Sequence, residues 1–315
     1  MDTNTLALFR EYEETGEVTF ITPKEFIPNL LLRQQIDDRQ FDKFCNSLEV
    51  LAKELLVGEE KKQLESYFQA QLIKFFESIG YSGKYSVSPT DRSDFSIHSG
   101  VLADSPVASI IEVKRPSNEL EMCSVDDMNK KALHEAITYL FKEVVEKSNL
   151  EVKTIIVTNG WEWFFFDAQT IWSALNRTNH KYVNLYKKYR ANKLTSTGAD
   201  AFYKTVMSNA VDDLIQLKQL ITCHISLKDF FKSGKLTKIN RLKEIYQLLL
   251  PETLINKEVS NDSNVLNKDF YNELLYIMGL EEIKQKVDGQ EKVVIKRAKK
   301  PQYHSLLESA LRLLN

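Results

Sequence analysis

Cysteine is scarce in this 315-residue chain: Cys45, Cys123 and Cys223 are odd in number and far apart, which gives neither a disulfide framework nor a zinc cluster. They read as reduced, buried thiols. Glycine is scarce too, with ten in all and no G-x-G-x-x-G or GK[ST] element among them, so a dinucleotide fold and a P-loop have no phosphate cradle here. No apolar run approaches the roughly 20 residues that span a bilayer, and the N-terminus lacks the charged-then-apolar pattern of a signal peptide. A cytoplasmic protein with no membrane partner is expected. Nor does one sign of charge dominate. With 42 Lys and Arg against 44 Asp and Glu, the net charge of −2 is not the footprint of a protein that grips nucleic acid by charge alone. Any such affinity must be local, or supplied by another domain.

What is present points to packed domains. Hydrophobic residues make up 43% and charged residues 27%, enough to bury real cores, in a chain longer than one ordinary domain. The most informative stretch is Asp94 to Lys114, DFSIHSGVLADSPVASIIEVK. Residues 94–98 alternate and residues 109–114 form a β-branched run, so two strands joined as a hairpin are predicted. Strand side chains repeat every two residues, which puts Glu112 and Lys114 on one face and Ile111 and Val113 on the other. A strand at Asp94 pairing beside them would bring a second carboxylate to Glu112. Two acids suit a hard cation such as Mg²⁺, which takes oxygen ligands and keeps several waters. A metal acidifies its water and polarises a phosphoryl oxygen, and a neighbouring ammonium stabilises developing negative charge. The same residue types at these spacings also occur by chance in many soluble chains.

The rest of the chain supplies context. Residues 1–59 read as a helical lead-in broken at Pro23 and Pro28, with Phe41, Phe44, Leu48, Leu51 and Leu55 at helical spacing. A helix is expected from about Glu60 to Ile79, striped by Leu64, Tyr67, Phe68, Leu72, Phe75 and Phe76 and ended by Gly80. Glu65 and Gln69 share one edge of it, facing either solvent or the site. Pro116 ends the Glu112 strand, and Ser124 with Asp127 resembles a capping box for a helix running to about Lys147. Glu135 and Tyr139 lie four apart on it, beside the buried stripe. Residues 154–158 and 161–166 flank Asn159-Gly160, a strong hairpin signal. In the basic, aromatic segment 181–190, Lys187, Lys188 and Arg190 could hold DNA phosphates, or the segment is a solvated helix with its tyrosines inward. Lys296 to Lys300 is a second basic candidate. From about Leu194 the sequence reads as helical, with helices at 199–221, 237–250 and 267–278, the last striped by Phe270, Leu274, Ile277 and Met278 and ended by Gly279.

The order of helix, strands, helix, strands resembles a nuclease core of the PD-(D/E)xK type. The passages TPKEF, DRSDFSIHSG, SIIEVKRPSNELEM, TIIVTNGWEWFFFDA and above all NDSNVLNKDFYNELLYIMGLEE resemble the N-terminal endonuclease region of type IIG restriction-modification enzymes, over most of residues 20–315. That resemblance implies an α/β, restriction-endonuclease-like core with a central mixed β-sheet flanked by helices (60–193), followed by an all-α helical connector (194–315). It implies Asp94, Glu112 and Lys114 as the catalytic set, with Asp94 and Glu112 as metal ligands and Asp91 as the competitor for the first place. Asp94 is preferred because Phe95 and Ile97 continue a strand after it, whereas Asp91 follows Pro89-Thr90 in a turn. Glu65, Gln69, Glu135 and Tyr139 become auxiliary candidates; related type I enzymes carry Gln-x3-Tyr where this chain has Glu135-x3-Tyr139.

The resemblance further implies Mg²⁺ as cofactor, with Mn²⁺ able to substitute, and double-stranded DNA as substrate in a bacterial or archaeal cytoplasm. A transient nuclease dimer on DNA is expected, since one centre cuts one strand. The chain has no NPP[YF] tetrapeptide and no glycine-rich motif for S-adenosylmethionine. The expectation is therefore a piece of a longer protein whose methyltransferase and target-recognition domains, in cis, bind S-adenosylmethionine and choose the site. Two other readings stay open: an inert restriction-like module that docks or holds DNA, and a repair or junction nuclease on the same core.

Overall fold

The structure, a computed structural model, describes residues 18–89, 95–177, 180–191, 199–232, 235–237, 239–255, 275–287, 290–299, 305–307 and 311. The chain forms two compact units, Met1–Ser260 and Asn261–Asn315.

The first unit opens with β1 (Thr19–Ile21), α1 (Pro23–Phe26), α2 (Asn29–Leu32), α3 (Asp38–Glu60) and α4 (Glu65–Phe76). Next come β2 (Val87–Ser88), β3 (Phe95–His98), β4 (Val107–Val113), α5 (Lys131–Phe141), β5 (Thr154–Thr158) and β6 (Glu162–Asp167). Then follow α6 (Ala168–Arg177), α7 (Lys181–Arg190), α8 (Ala199–Phe202), α9 (Ser208–Gln216) and β7 (Ile221–Ser226). The short β8 (Phe231–Lys232), β9 (Lys235–Leu236), α10 (Ile239–Leu248) and α11 (Pro251–Leu254) complete it. Short π-helical turns follow α4 (Glu77–Tyr81), α5 (Lys142–Glu146) and α8 (Tyr203–Met207).

Seven strands form one mixed sheet in the order β1-β7-β6-β5-β4-β3-β2. The β1/β7 and β4/β5 pairs are parallel and the others antiparallel. Alternation along the strands sends side chains to two cores. Phe95, Ile97, Ile111, Val113, Trp163, Phe165 and Ile225 join the first, with apolar residues of α3, α4 and α10. Ile110, Ile155, Val157, Phe164 and Phe166 join the second, with those of α5, α6, α7 and α9. A sheet covered on both faces explains why β3, β4 and β5 are buried along their whole length.

Local chemistry sets the helices that matter to the site. Asp37 caps α3 by accepting from the Gln40 amide at 2.9 Å, and Phe41, Phe44, Leu48, Leu51 and Leu55 are all buried, as their spacing predicts. The β5/β6 hairpin is the expected one. Its Gly160 has φ of +88°, and a Cβ there would come within 2.5 Å of Leu55, so both the turn and the packing of α3 call for glycine.

Several expectations are corrected. The lead-in is not wholly helical, because β1 adds a strand to the sheet beside β7. The second helix starts at Glu65, after Lys62 takes φ of +50°, which leaves Leu64 exposed and outside the stripe. Ser124 and Asp127 do not open α5: the Asp127 amide donates to Ser124 Oγ at 3.1 Å within a turn, and the helix begins at Lys131. The C-terminal part is not all-α. Residues 221–226, where no strand was expected and only Ile221 fell in an expected helix, form β7 because Cys223 and Ile225 face one core while Thr222 is buried on the other side. The lead-in, residues 60–193 and residues up to Ser260 lie in one compact unit.

The second unit holds an antiparallel hairpin of β10 (Leu280–Val287) and β11 (Gln290–Arg297), where helix was expected. Gly279 does end the helical residues before it, at φ of +78°. Ile277 and Met278 are 50% and 38% exposed, so they do not pack as a stripe, and Phe270 and Leu274 lie outside the described residues.

Candidate active site

Three layers of the fold converge where β4 ends. Glu112 and Lys114 follow Ile110 on the face of the second core, while Ile111 and Val113 point to the first. The Lys114 amide still donates to the Thr158 carbonyl at 2.9 Å, so the ladder to β5 fixes the backbone under the lysine. Pro116 then removes the donor that a longer strand would need. From the layer above, α5 brings Glu135; from the other side, α4 starts with Glu65.

The Lys114 ammonium is the hub. Nζ donates to Glu112 Oε1 at 2.5 Å, forms an ion pair with Glu135 Oε2 at 2.8 Å and lies 3.8 Å from Glu65 Oε1. Lys114 is 4% exposed and Glu112 1%. Burial alone would make the ammonium easier to deprotonate; the negative charges of Glu112 and then Glu135 overcome this and hold its pKa well above the ordinary lysine range. It stays charged.

A second tier surrounds this hub. Lys131 Nζ is 3.0 Å from Glu121 Oε1 and 4.0 Å from Glu135 Oε1, and Asn118 donates to the other Glu121 oxygen at 2.9 Å. Burial pushes the Glu121 pKa up, but the hydrogen bonds from Lys131 and Asn118 outweigh it and leave the carboxyl lowered. Burial, then the charges of Glu135 and Tyr189, raise the Tyr203 hydroxyl, whose field also includes Glu112 and Lys114. Beside Glu135 on α5, His134 Nε2 meets Asn129 Oδ1 at 2.5 Å, and Asn129 donates to Asp212 at 2.6 Å. Burial lowers the His134 pKa to about 4, so the ring is neutral near neutrality. Sequence reasoning missed Lys131, Glu121 and Tyr203. The first two show a charge pair across a loop that no periodicity encodes, and Tyr203 sits in a π-helical turn with no composition cue.

The sequence candidates thus separate into groups. Glu65, Glu112, Lys114 and Glu135 come together. Gln69 lies half-buried a turn further along α4, and Tyr139 packs partly buried against the second core. Asp94 and Asp91 lie outside the described residues. Asp94 is bonded to Phe95, and Phe95 is paired with Ile111, the residue before Glu112. On α7, Tyr182, Val183 and Tyr186 are buried while Lys187 and Lys188 are exposed, which is the tyrosines-inward arrangement. Arg190 is held by Glu146 at 2.5 Å, and Tyr186 donates to the same carboxylate at 2.6 Å, so Arg190 has a structural partner already.

The donors near Lys114 are carboxylate oxygens, the chemistry that a hard divalent cation takes, and Mg²⁺ needs one or two of them. Glu112 is the buried one and Glu65 the more accessible. Among the described residues no group of three His, Cys, Asp or Glu is placed to hold a metal ion. Among them, too, no helix is long and apolar enough to cross a membrane.

No curated protein and no solved structure matches the chain. Residues 263–315 match a family model described as a domain of unknown function (DUF7814), whose start falls close to the boundary between the two units. Residues 21–262, which carry strands β2 to β7 of the sheet, the Lys114 cluster and most of the chain, match the model of another domain of unknown function (DUF7149), and the protein belongs to that family.

Proposed function

We propose that this chain is the DNA-cleaving part of a type IIG restriction-modification enzyme, built on a restriction-endonuclease-like core and hydrolysing phosphodiester bonds with Mg²⁺, or Mn²⁺ in its place. The observation that supports this most is the buried Lys114 ammonium, joined to Glu112 and Glu135 where a central strand ends. Glu112 would hold the cation, with Asp94 as the other acid. A bound divalent ion supplies an acidified water and polarises the phosphoryl oxygen. Lys114, permanently charged, opposes the negative charge that develops on the phosphoryl oxygens, in a setting with little water to screen it. Lys187 and Lys188, exposed on α7, are suited to phosphate contacts that position a duplex without reading its sequence.

Target choice and methyl transfer from S-adenosylmethionine belong, in this reading, to domains in cis outside this sequence. A double-strand break then needs a second copy, so a transient dimer on DNA is part of the proposal, in a bacterial or archaeal cytoplasm. The other reading is a docking or DNA-holding module without catalysis. It is favoured by one feature: an ammonium fully engaged by carboxylates is also how structural ion-pair networks are built.

Supercoiled plasmid separates the two. Incubated with Mg²⁺ or Mn²⁺, the protein should nick it, and Lys114→Ala should not. Nicking by neither supports the docking module, and equal nicking by both rules out Lys114 as part of the centre.

A further inference from the structure

We propose that Glu135 is a positioning residue, the second seat of the Lys114 ammonium, which passes from Glu112 to Glu135 when a divalent cation takes the Glu112 carboxylate. The inference rests on the reading of Glu112 as a cation ligand.

The geometry makes the transfer short. Lys114 Nζ already touches both acids, Glu112 Oε1 at 2.5 Å and Glu135 Oε2 at 2.8 Å, so a side-chain rotation is enough. The two carboxylates stand on separate elements, Glu112 on β4 and Glu135 on α5, and one can lose the ammonium while the other keeps it. A cation ligated by Glu112 repels an ammonium on the same carboxylate. Lys114 cannot retreat to solvent, because it is 4% exposed, and a buried charge without a counter-ion is costly. Some other carboxylate must receive it. Glu65, at 3.8 Å, is further away and its side chain is 32% exposed; that of Glu135 is 15% exposed and already in contact. The remaining Glu135 oxygen faces Lys131 at 4.0 Å, which aims the carboxylate from behind.

Two simpler roles compete with this one. Glu135 could ligate the cation itself, or merely add negative charge that attracts it. Both would act whether or not the lysine is present, whereas a seat matters only when there is an ammonium to receive.

Mn²⁺ titration of the whole chain by calorimetry, with Lys114→Met, Glu135→Gln and the double variant, tells them apart. Glu135→Gln should weaken Mn²⁺ binding at least fivefold, and Lys114→Met should tighten it. In the Lys114→Met background, Glu135→Gln should change the affinity less than twofold. An equal loss in both backgrounds overturns the proposal and leaves the cleavage reading intact. No Mn²⁺ binding by the wild-type protein overturns both. Should Glu135→Gln fail to fold, Glu135→Asp takes its place: it keeps a seat at shorter reach and should give a smaller loss, again confined to the background that retains Lys114.

Discussion

Replacing Lys114 by Met keeps the length of the stem and deletes the charge between Glu112 and Glu135. In the wild-type protein both carboxylates touch one ammonium, so the variant leaves two like charges facing each other, one of them 1% exposed. Removing one partner of a buried ion pair costs about 3–5 kcal/mol. Glu135 retains some access to water, which sets the expected loss near the lower end, about 3 kcal/mol. In a unit of this size that corresponds to a fall in Tm of roughly 6–12 °C. The pH dependence follows from the sign of the shifts. The folded wild-type lysine has a raised pKa, so its contribution is complete below the ordinary lysine range and does not decline between pH 6 and 9. In the variant, facing carboxylates favour protonation, so the deficit should be largest at pH 8 and shrink at pH 5.5. Thermal melting by circular dichroism at both pH values measures it. A Tm within 2 °C of wild type at pH 8, or a deficit that grows on acidification, would refute the reasoning.

Three further outcomes test the surrounding structure. Gly160→Ala should cost more than about 1 kcal/mol, because a positive φ and a clash with Leu55 act together; chemical denaturation reads it. His134 is neutral in the folded state with a pKa of about 4, so the unfolded chain takes up its proton first and stability falls as pH drops from 6.5 toward 4. His134→Gln should remove up to about 3 kcal/mol of that acid sensitivity, seen as a flatter profile of stability against pH. Tyr81→Phe deletes a buried hydroxyl that donates to the Leu249 carbonyl at 2.8 Å, and should cost about 1–2 kcal/mol in the same denaturation assay.

Legibility of the fold in the sequence tracked the range of the interactions. The Asn159-Gly160 turn, the buried stripe of α3 and the Glu112/Lys114 alternation are local, and each is where its residues put it. β1 has three residues, too few for a period, and pairs with β7 about 200 positions later, a match no local pattern contains. β7 carries Cys223 and Ile225 on one face, but a helical reading of the segments around it absorbed so short a run. The β10/β11 hairpin is rich in Lys and Glu, which disguises its alternation. At the site, Glu112 with Lys114 was visible from period two alone. The arrival of Glu65 and Glu135 from two different layers depends on how α4 and α5 pack, and Lys131 with Glu121 on a loop closing over α5. Asp94 lies outside the described residues.

The proposed joint action of Glu112 and Lys114 as one hydrolytic centre is tested most directly by single-turnover cleavage of a labelled DNA duplex with Mg²⁺. Glu112→Gln, Lys114→Ala and the double variant should each slow strand cleavage by about 10²-fold or more, to one shared residual rate, because residues acting as a unit are not additive. Cleavage at the wild-type rate by either single variant, or losses that multiply in the double variant, would contradict it.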